Sequence, residues 1–81
     1  KIVYAGNEIQ AFGNLILIKH YNNKTSAYAH LEKINVKKGE SVNKGQIIAL
    51  VGNSGKVSTP QLHFEIRDKD GPLDPLKYLP Q

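Results

Sequence analysis

The chain has 81 residues, no cysteine and a formal net charge of +4, from 11 Lys and Arg against 7 Asp and Glu. This length allows one domain with a modest core, and the lack of cysteine excludes disulfides, thiolate catalysis and cysteine zinc sites. No apolar run approaches the roughly 20 residues that span a bilayer, so no transmembrane segment is predicted. Every cation except Arg67 is a lysine, and the lysines are scattered through turn-like segments. Nucleic-acid sites favour arginine forks and stacking aromatics, so we expect no nucleic-acid partner.

Short apolar runs separated by Gly, Asn and Pro predict an all-β domain, since no window shows helical periodicity. The predicted strands cover residues 2–5, 15–20, 25–31, 34–36, 46–51 and 62–67. Residues 15–18 and 47–51 are apolar at every position, which is typical of strands covered on both faces. Both are therefore expected at the centre of a sandwich or barrel.

Turn residues separate these strands. Adjacent asparagines in the segment 21–24 indicate a hairpin connection, because Asn tolerates positive φ. Gly39 and Gly45 are expected at the two ends of a tight loop. The proline-containing end of the chain is predicted to form an extended tail, pinned by Leu73, Leu76, Tyr78 and Leu79.

Residues 61–67 alternate like a half-buried strand, and one face of that strand carries Gln61, His63 and Glu65. A His-x-His pair at this spacing would place two imidazoles side by side, as a tetrahedral zinc site requires. Gln61 stands where the first imidazole would be, and a neutral amide is neither a general base at neutral pH nor a good zinc ligand. We interpret this as a disabled metal site in which His63 is the lone candidate ligand.

A second candidate histidine, His30, closes the strand predicted over residues 25–31. Regular alternation puts Tyr28 and His30 on the same face. A histidine at such a position is more often a surface or hydrogen-bonding residue than a catalyst, and the chain has no His-x-x-x-Asp or His-Glu-x-x-His motif. His20, which precedes a turn, is read as a surface residue.

Seven short motifs occur in order along the chain, and together they resemble the LytM/lysostaphin-type domain of peptidoglycan zinc endopeptidases. They are Tyr4–Asn7, Gly13–His20, Ala27–Leu31, Val36–Gln46, Val51–Gly55, Leu62–Arg67 and Asp74–Leu79. The resemblance implies one LytM-like domain over residues 1–81, folded as a compact antiparallel sheet or sandwich of the duplicated hybrid motif type. It also implies that the chain is the C-terminal part of that domain, with the His-x-x-x-Asp motif upstream of Lys1.

The resemblance implies that active members hold zinc through the His and Asp of that upstream motif and through the second His of His-x-His. The last of these corresponds to His63. The two histidines that assist catalysis correspond to Gln61 and His30, so His30 is a vestigial catalytic candidate. No cofactor is expected, and zinc only if upstream ligands are supplied.

This pattern resembles the degenerate NlpD/DipM-like branch of the family. The resemblance implies a non-catalytic domain that binds and activates peptidoglycan amidases during cell division and cell-wall remodelling. It also implies a location in the periplasm or cell envelope of a Gram-negative bacterium. The expected partners are an amidase, peptidoglycan or both, and the expected binding groove is lined by Tyr28, His30, Gln61 and His63.

Two other functions remain open. One is a zinc-dependent peptidoglycan endopeptidase whose remaining ligands lie upstream, with His30 as the sole assisting histidine. The other is a carrier domain of biotinyl or lipoyl type, since residues 36–51 resemble half of such a fold. A modified lysine usually lies between hydrophobic residues, often Met, whereas Lys56 follows Gly55 and precedes Val57 and the chain has no Met. We also expect an exposed sheet edge, covered by an N-terminal segment or by self-association.

Overall fold

The computed structural model describes residues 1–20, 23–43, 45–55, 57–59, 61–68 and 71–73. Residues 72 and 73 are described by their backbone alone. Its regular elements are strands: β1 (Ile2–Gly6), β2 (Asn14–Lys19), β3 (Thr25–Ile34), β4 (Ala49–Val51), β5 (His63–Asp68) and β6 (Gly71–Leu73). All pairings between them are antiparallel. The predicted all-β antiparallel fold is therefore confirmed.

The strands form one sheet of order β1-β2-β3-β5-β6, and β4 pairs with β3 outside this path. β3 is the longest strand, with ten residues. One edge of β3 pairs with β2, and the other pairs first with β5 and then with β4. A bridge between Gly52 and Gln61 links the end of β4 to the approach to β5, so both candidate histidines lie at this junction.

A β-bulge in β3 interrupts the alternation of side chains. The register of β2 on β3 shifts so that Ala29 and His30 both lie opposite the single residue Leu15. His30 has a φ of 64°, in the left-handed region that non-glycine residues seldom occupy. Bulges re-aim side chains in this way. The prediction that Tyr28 and His30 share a face is therefore wrong.

Two clusters of buried side chains lie on the two faces of the sheet. The larger contains Ile2, Ile16, Ile18, Leu31 and Val36, and the smaller contains Leu15, Ala27 and Ala29. β2 contributes to both clusters, as its unbroken apolar run predicts. Leu31 belongs with the Tyr28 face, because the bulge shifts the alternation by one position.

The second apolar run does not form a buried central strand, which corrects the prediction for residues 47–51. β4 has three residues and pairs with β3 alone within the described part of the chain. Its neighbourhood is exposed: Ile47 is 74%, Leu50 47% and Val51 53% accessible. An apolar run indicates that a strand needs covering, but it does not say that this chain supplies the cover.

Other boundaries differ in smaller ways. The separate strand predicted over residues 34–36 does not exist, because Ile34 is the last residue of β3 and Val36 is buried beyond it. β6 was not predicted, and it places Pro72 on the last strand of the sheet, where a missing N–H is tolerated. Asn23 has the expected positive φ, of 63°. The predicted features at Tyr21, Asn22 and Lys56, and the predicted tail over 74–81, lie outside the described residues.

The described residues contain no helix with the length and apolar character needed to cross a bilayer.

Candidate functional site

His30 is held at the bulge by three hydrogen bonds. Its backbone N–H donates to the carbonyl of Phe12 at 2.8 Å, and its carbonyl accepts from the N–H of Gly52 at 3.1 Å. Its Nδ1 lies 2.8 Å from the carbonyl oxygen of Ser54. Because a carbonyl oxygen can only accept, Nδ1 must carry a proton, which leaves Nε2 as the acceptor of the neutral ring. His30 is 8% exposed as a residue, so it is a buried histidine whose neutral ring has one defined tautomer.

The loop that carries Ser54 is tied to β2 and β3. The Ser54 hydroxyl donates to the carbonyl of Leu31 at 2.5 Å and accepts from the backbone N–H of Asn14 at 3.0 Å. The side-chain amide of Asn14 donates to the carbonyls of Leu31 and Glu32, at 2.9 Å and 3.2 Å. The carbonyl that orients His30 is therefore fixed by contacts across the sheet.

Two glycines allow this loop to approach β2. A Cβ placed on Gly13 would lie 2.4 Å from the backbone N of Gly55, and one on Gly55 would lie 2.6 Å from the N of Gly13. Real Cβ atoms do not reach such distances, so the two backbones pack directly against each other. Asn14 and Ser54 were not predicted as site residues, although each stands beside a glycine in a motif that the sequence shows.

His63 lies at the start of β5, opposite Ala29 of β3. Its ring centroid is 6.1 Å from that of His30 and 5.8 Å from that of Phe12. The fold thus brings together the two candidate histidines, which are 33 positions apart in the chain (63 − 30). The bulge at His30 makes this possible, since regular alternation would have directed the ring to the other face.

Glu65 joins His63 to Arg67 on the same face of β5. The Nε2 of His63 lies 2.7 Å from Oε2 of Glu65, and Nη2 of Arg67 lies 2.7 Å from Oε1. The hydrogen bond from His63 and the adjacent Arg67 guanidinium hold the pKa of Glu65 below its ordinary value of 4.5, against the opposing effect of burial. Nε2 of His63 is therefore already hydrogen-bonded to the Glu65 carboxylate.

The remaining predicted groove residues do not form one surface. Tyr28 lies opposite Phe64, with ring centroids 5.1 Å apart, on the face of the sheet away from His63. It packs against the larger core cluster, so its placement in the groove is corrected. Gln61 is exposed, and its backbone N–H donates to the carbonyl of Gly52 at 2.8 Å.

A groove of about 410 Å³ runs along the face that carries His63. Its apolar part is formed by Leu15, Leu17 and Ala27 of the sheet together with Ile9 and Phe12. Its polar side is formed by Thr25, His63, Glu65, Arg67 and Asp68. Phe12 and Arg67 were missed as site residues; for Arg67, continued alternation from His63 along β5 would have indicated it.

The described residues do not by themselves fit a zinc site. They contain no group of three His, Cys, Asp or Glu side chains placed to hold a metal ion, whereas zinc sites use three or four protein ligands. Nε2 of His63 is bound to Glu65 and Nδ1 of His30 to Ser54. The described residues therefore supply no metal-dependent reaction step by themselves.

Relatives of the chain match it along its whole length. It is 49% identical over 81 residues to the murein hydrolase activator NlpD of Escherichia coli. It is 52% identical over 81 residues to the outer membrane antigenic lipoprotein B of Haemophilus influenzae, and 46% identical over 87 residues to the cell division protein DipM of Caulobacter vibrioides. Each alignment covers 100% of this chain but only 14% to 21% of the relative.

Solved structures share the fold. Lysostaphin from Staphylococcus simulans superposes with a TM-score of 0.91 at 36% identity, over 98% of this chain and 35% of that one. A zinc-containing peptidase from Vibrio cholerae superposes with a TM-score of 0.87 at 41% identity, over 99% of this chain and 25% of that one. These relatives confirm the predicted LytM/lysostaphin-type fold and the likeness to the NlpD and DipM proteins.

The family model described as peptidase family M23 matches residues 1–75, and the chain therefore belongs to peptidase family M23, as a LytM-type cell-wall domain related to envelope proteins of Gram-negative bacteria.

Proposed function

We propose that this chain is a non-catalytic M23 domain that binds and activates a peptidoglycan amidase in the cell envelope. The observation that carries the proposal is Gln61, which stands beside His63 at the position where the His-x-His motif has its first imidazole. Two relatives, a murein hydrolase activator and a cell division protein, support a role in regulating cell-wall cleavage.

The chemistry of the described residues argues against hydrolysis by this chain alone. A catalytic zinc needs about three protein ligands to bring the pKa of its bound water near 7. His63 is the one residue that corresponds to a family ligand, and the Gln61 amide cannot accept a proton from water. The neutral ring of His30 offers an acceptor at Nε2, yet one base without an activated water does not make a hydrolytic centre.

The same residues suit a docking surface. The groove combines an apolar floor with a rim of hydrogen-bonding groups from His63, Glu65 and Arg67. Protein interfaces draw most of their affinity from a few anchors in such apolar pockets, surrounded by polar contacts. We propose that the groove receives a segment of the amidase, with peptidoglycan as a further partner, in the periplasm or elsewhere in the envelope.

Dye release from labelled, purified peptidoglycan tests this proposal. The full-length protein should release no dye by itself, but it should stimulate an amidase that is nearly inactive alone. His30→Ala should weaken the stimulation, while Lys38→Ala, at an exposed position beyond β3, should leave it unchanged. Zinc-dependent release by the full-length protein alone would contradict the proposal.

A zinc-dependent endopeptidase is the second candidate. The likeness to lysostaphin and to a zinc-containing peptidase supports it, and its remaining ligands would have to come from outside the described residues. Chelator-sensitive dye release without amidase would select it. The carrier-domain alternative rested on the likeness of residues 36–51 to half of such a fold; no further observation supports it, so we do not propose it.

A further inference from the structure

We infer that the Ser54 loop is a positioning element, which fixes His30 as a hydrogen-bond acceptor for an N–H group of the protein that docks in the groove. This inference rests on the proposed function and deepens it, since it specifies the chemistry of one contact. It assigns His30 a role as a recognition group and Ser54 a role as the residue that orients it. Neither role requires a metal ion.

The carbonyl of Ser54 determines the tautomer of His30. Nδ1 lies 2.8 Å from the carbonyl oxygen of Ser54, and this oxygen has no proton to donate. The neutral ring therefore holds its proton on Nδ1 and a lone pair on Nε2. A hydrogen bond to one ring nitrogen commonly decides the state of the other in this way.

Nε2 of His30 can accept a hydrogen bond from a partner. Among the described residues it has no hydrogen-bond partner, and no fully buried side-chain nitrogen or oxygen there is left unpaired. Nε2 must therefore lie in the small exposed fraction of the ring. His63, whose ring centroid is 6.1 Å from that of His30, lines the groove, so we place the exposed Nε2 next to the groove, beside His63.

A strained backbone and a close loop contact hold the His30 ring in this orientation. His30 adopts a left-handed φ of 64°, and the loop that holds it approaches β2 so closely that two positions must be glycine. Strained backbone of this kind persists where the surrounding contacts over-determine it, commonly at functional sites. A histidine serving only to fill the core would need neither the bulge nor the carbonyl partner.

The occupant follows from what surrounds the acceptor. The groove floor beside it is apolar, formed by Leu15, Leu17 and Ala27. A protein segment offers large apolar side chains together with N–H donors, whereas the N-acetylated sugars of a glycan strand offer N–H groups without large apolar side chains. We therefore assign the donor to an N–H of the amidase.

Nitrogen-15 NMR of the histidine rings tests the positioning step in the full-length protein without any amidase. Two-bond correlations should show His30 protonated at Nδ1 and unprotonated at Nε2. Ser54→Ala, which removes the hydroxyl bonds to Leu31 and Asn14, should lower the population of this tautomer. The exposed Ser58→Ala should not change it. A His30 ring protonated at Nε2 in the wild-type protein would overturn the inference.

Two substitutions of His30 test the recognition step. His30→Asn keeps a donor near Nδ1 for the Ser54 carbonyl but has no acceptor at Nε2, so the Kd for the amidase should rise about tenfold or more. His30→Gln places an amide oxygen near Nε2 and should recover part of the affinity. Wild-type affinity in His30→Asn would overturn the inference and leave the proposed function intact, because the wild-type protein would still stimulate the amidase. Absence of stimulation by the wild-type protein would overturn the proposed function itself.

Discussion

Gly13→Ala should destabilise the domain through a backbone collision that also displaces the His30 carbonyl partner. The new Cβ would lie 2.4 Å from the N of Gly55, 2.5 Å from the carbonyl carbon of Ser54 and 2.6 Å from the Ser54 hydroxyl. Two of these atoms belong to the backbone and cannot rotate away. The loop must therefore move from β2, and the bonds around Ser54 must lengthen.

The magnitude has two parts. Gly13 has a φ of 64°, and holding an L residue in the left-handed region costs about 1–2 kcal/mol. Overpacking against a fixed neighbour costs about 1–3 kcal/mol more. We therefore expect Gly13→Ala to lower the free energy of unfolding by about 2–5 kcal/mol, of which the smaller conformational entropy of the unfolded variant offsets about 0.4–1 kcal/mol.

Gly39→Ala is the matched control. Gly39 has a φ of 96°, and a Cβ there would meet nothing within 4 Å, so this variant carries backbone strain without collision. It should cost about 1–2 kcal/mol. Urea unfolding followed by far-UV circular dichroism measures both variants, and equal losses would refute the close approach of the two backbones. Gly13→Ala should also weaken amidase stimulation at concentrations where it is folded, whereas Gly39→Ala should not.

Three further predictions concern charge, metal and the sheet edge. Because the folded-state pKa of Glu65 lies below its ordinary 4.5, the carboxylate should contribute stability above about pH 4.5 that is lost as the pH falls through the lowered pKa; Glu65→Gln should flatten that part of a pH–stability curve, and an unchanged slope would contradict the assignment. Elemental analysis of protein purified without chelator should find no stoichiometric zinc bound by this chain, because His63 is a single ligand and a zinc site needs three. One zinc ion per chain, coordinated by His63, would contradict this prediction. The exposed edge around Ile47 and Leu50 should drive association, so light scattering of the chain at high concentration should detect oligomers that Leu50→Lys reduces; a monodisperse wild-type monomer would rule this out.

Local patterns in the sequence were sufficient for the fold class. Alternation identified the strands around Tyr28 and Phe64, and consecutive apolar residues at Ile16 and Leu17 identified a strand covered on both sides. These patterns report which side chains avoid water along a few residues of chain, and strand formation depends mainly on that. The same local reasoning marked Gln61 and His63 as an altered metal motif, because residue identity and spacing are visible without any contact.

Long-range packing decided the site. The bulge that separates Tyr28 from His30 depends on the register between β2 and β3, which no period-2 pattern encodes. The orientation of His30 depends on Ser54, which is itself bonded to Asn14 across 40 positions of the chain. The burial of an apolar run likewise depends on what packs against it, and this is why β4 is exposed although its sequence resembles that of β2. Sequence determined which residues carry the chemistry, while strand register and loop packing determined which of them meet.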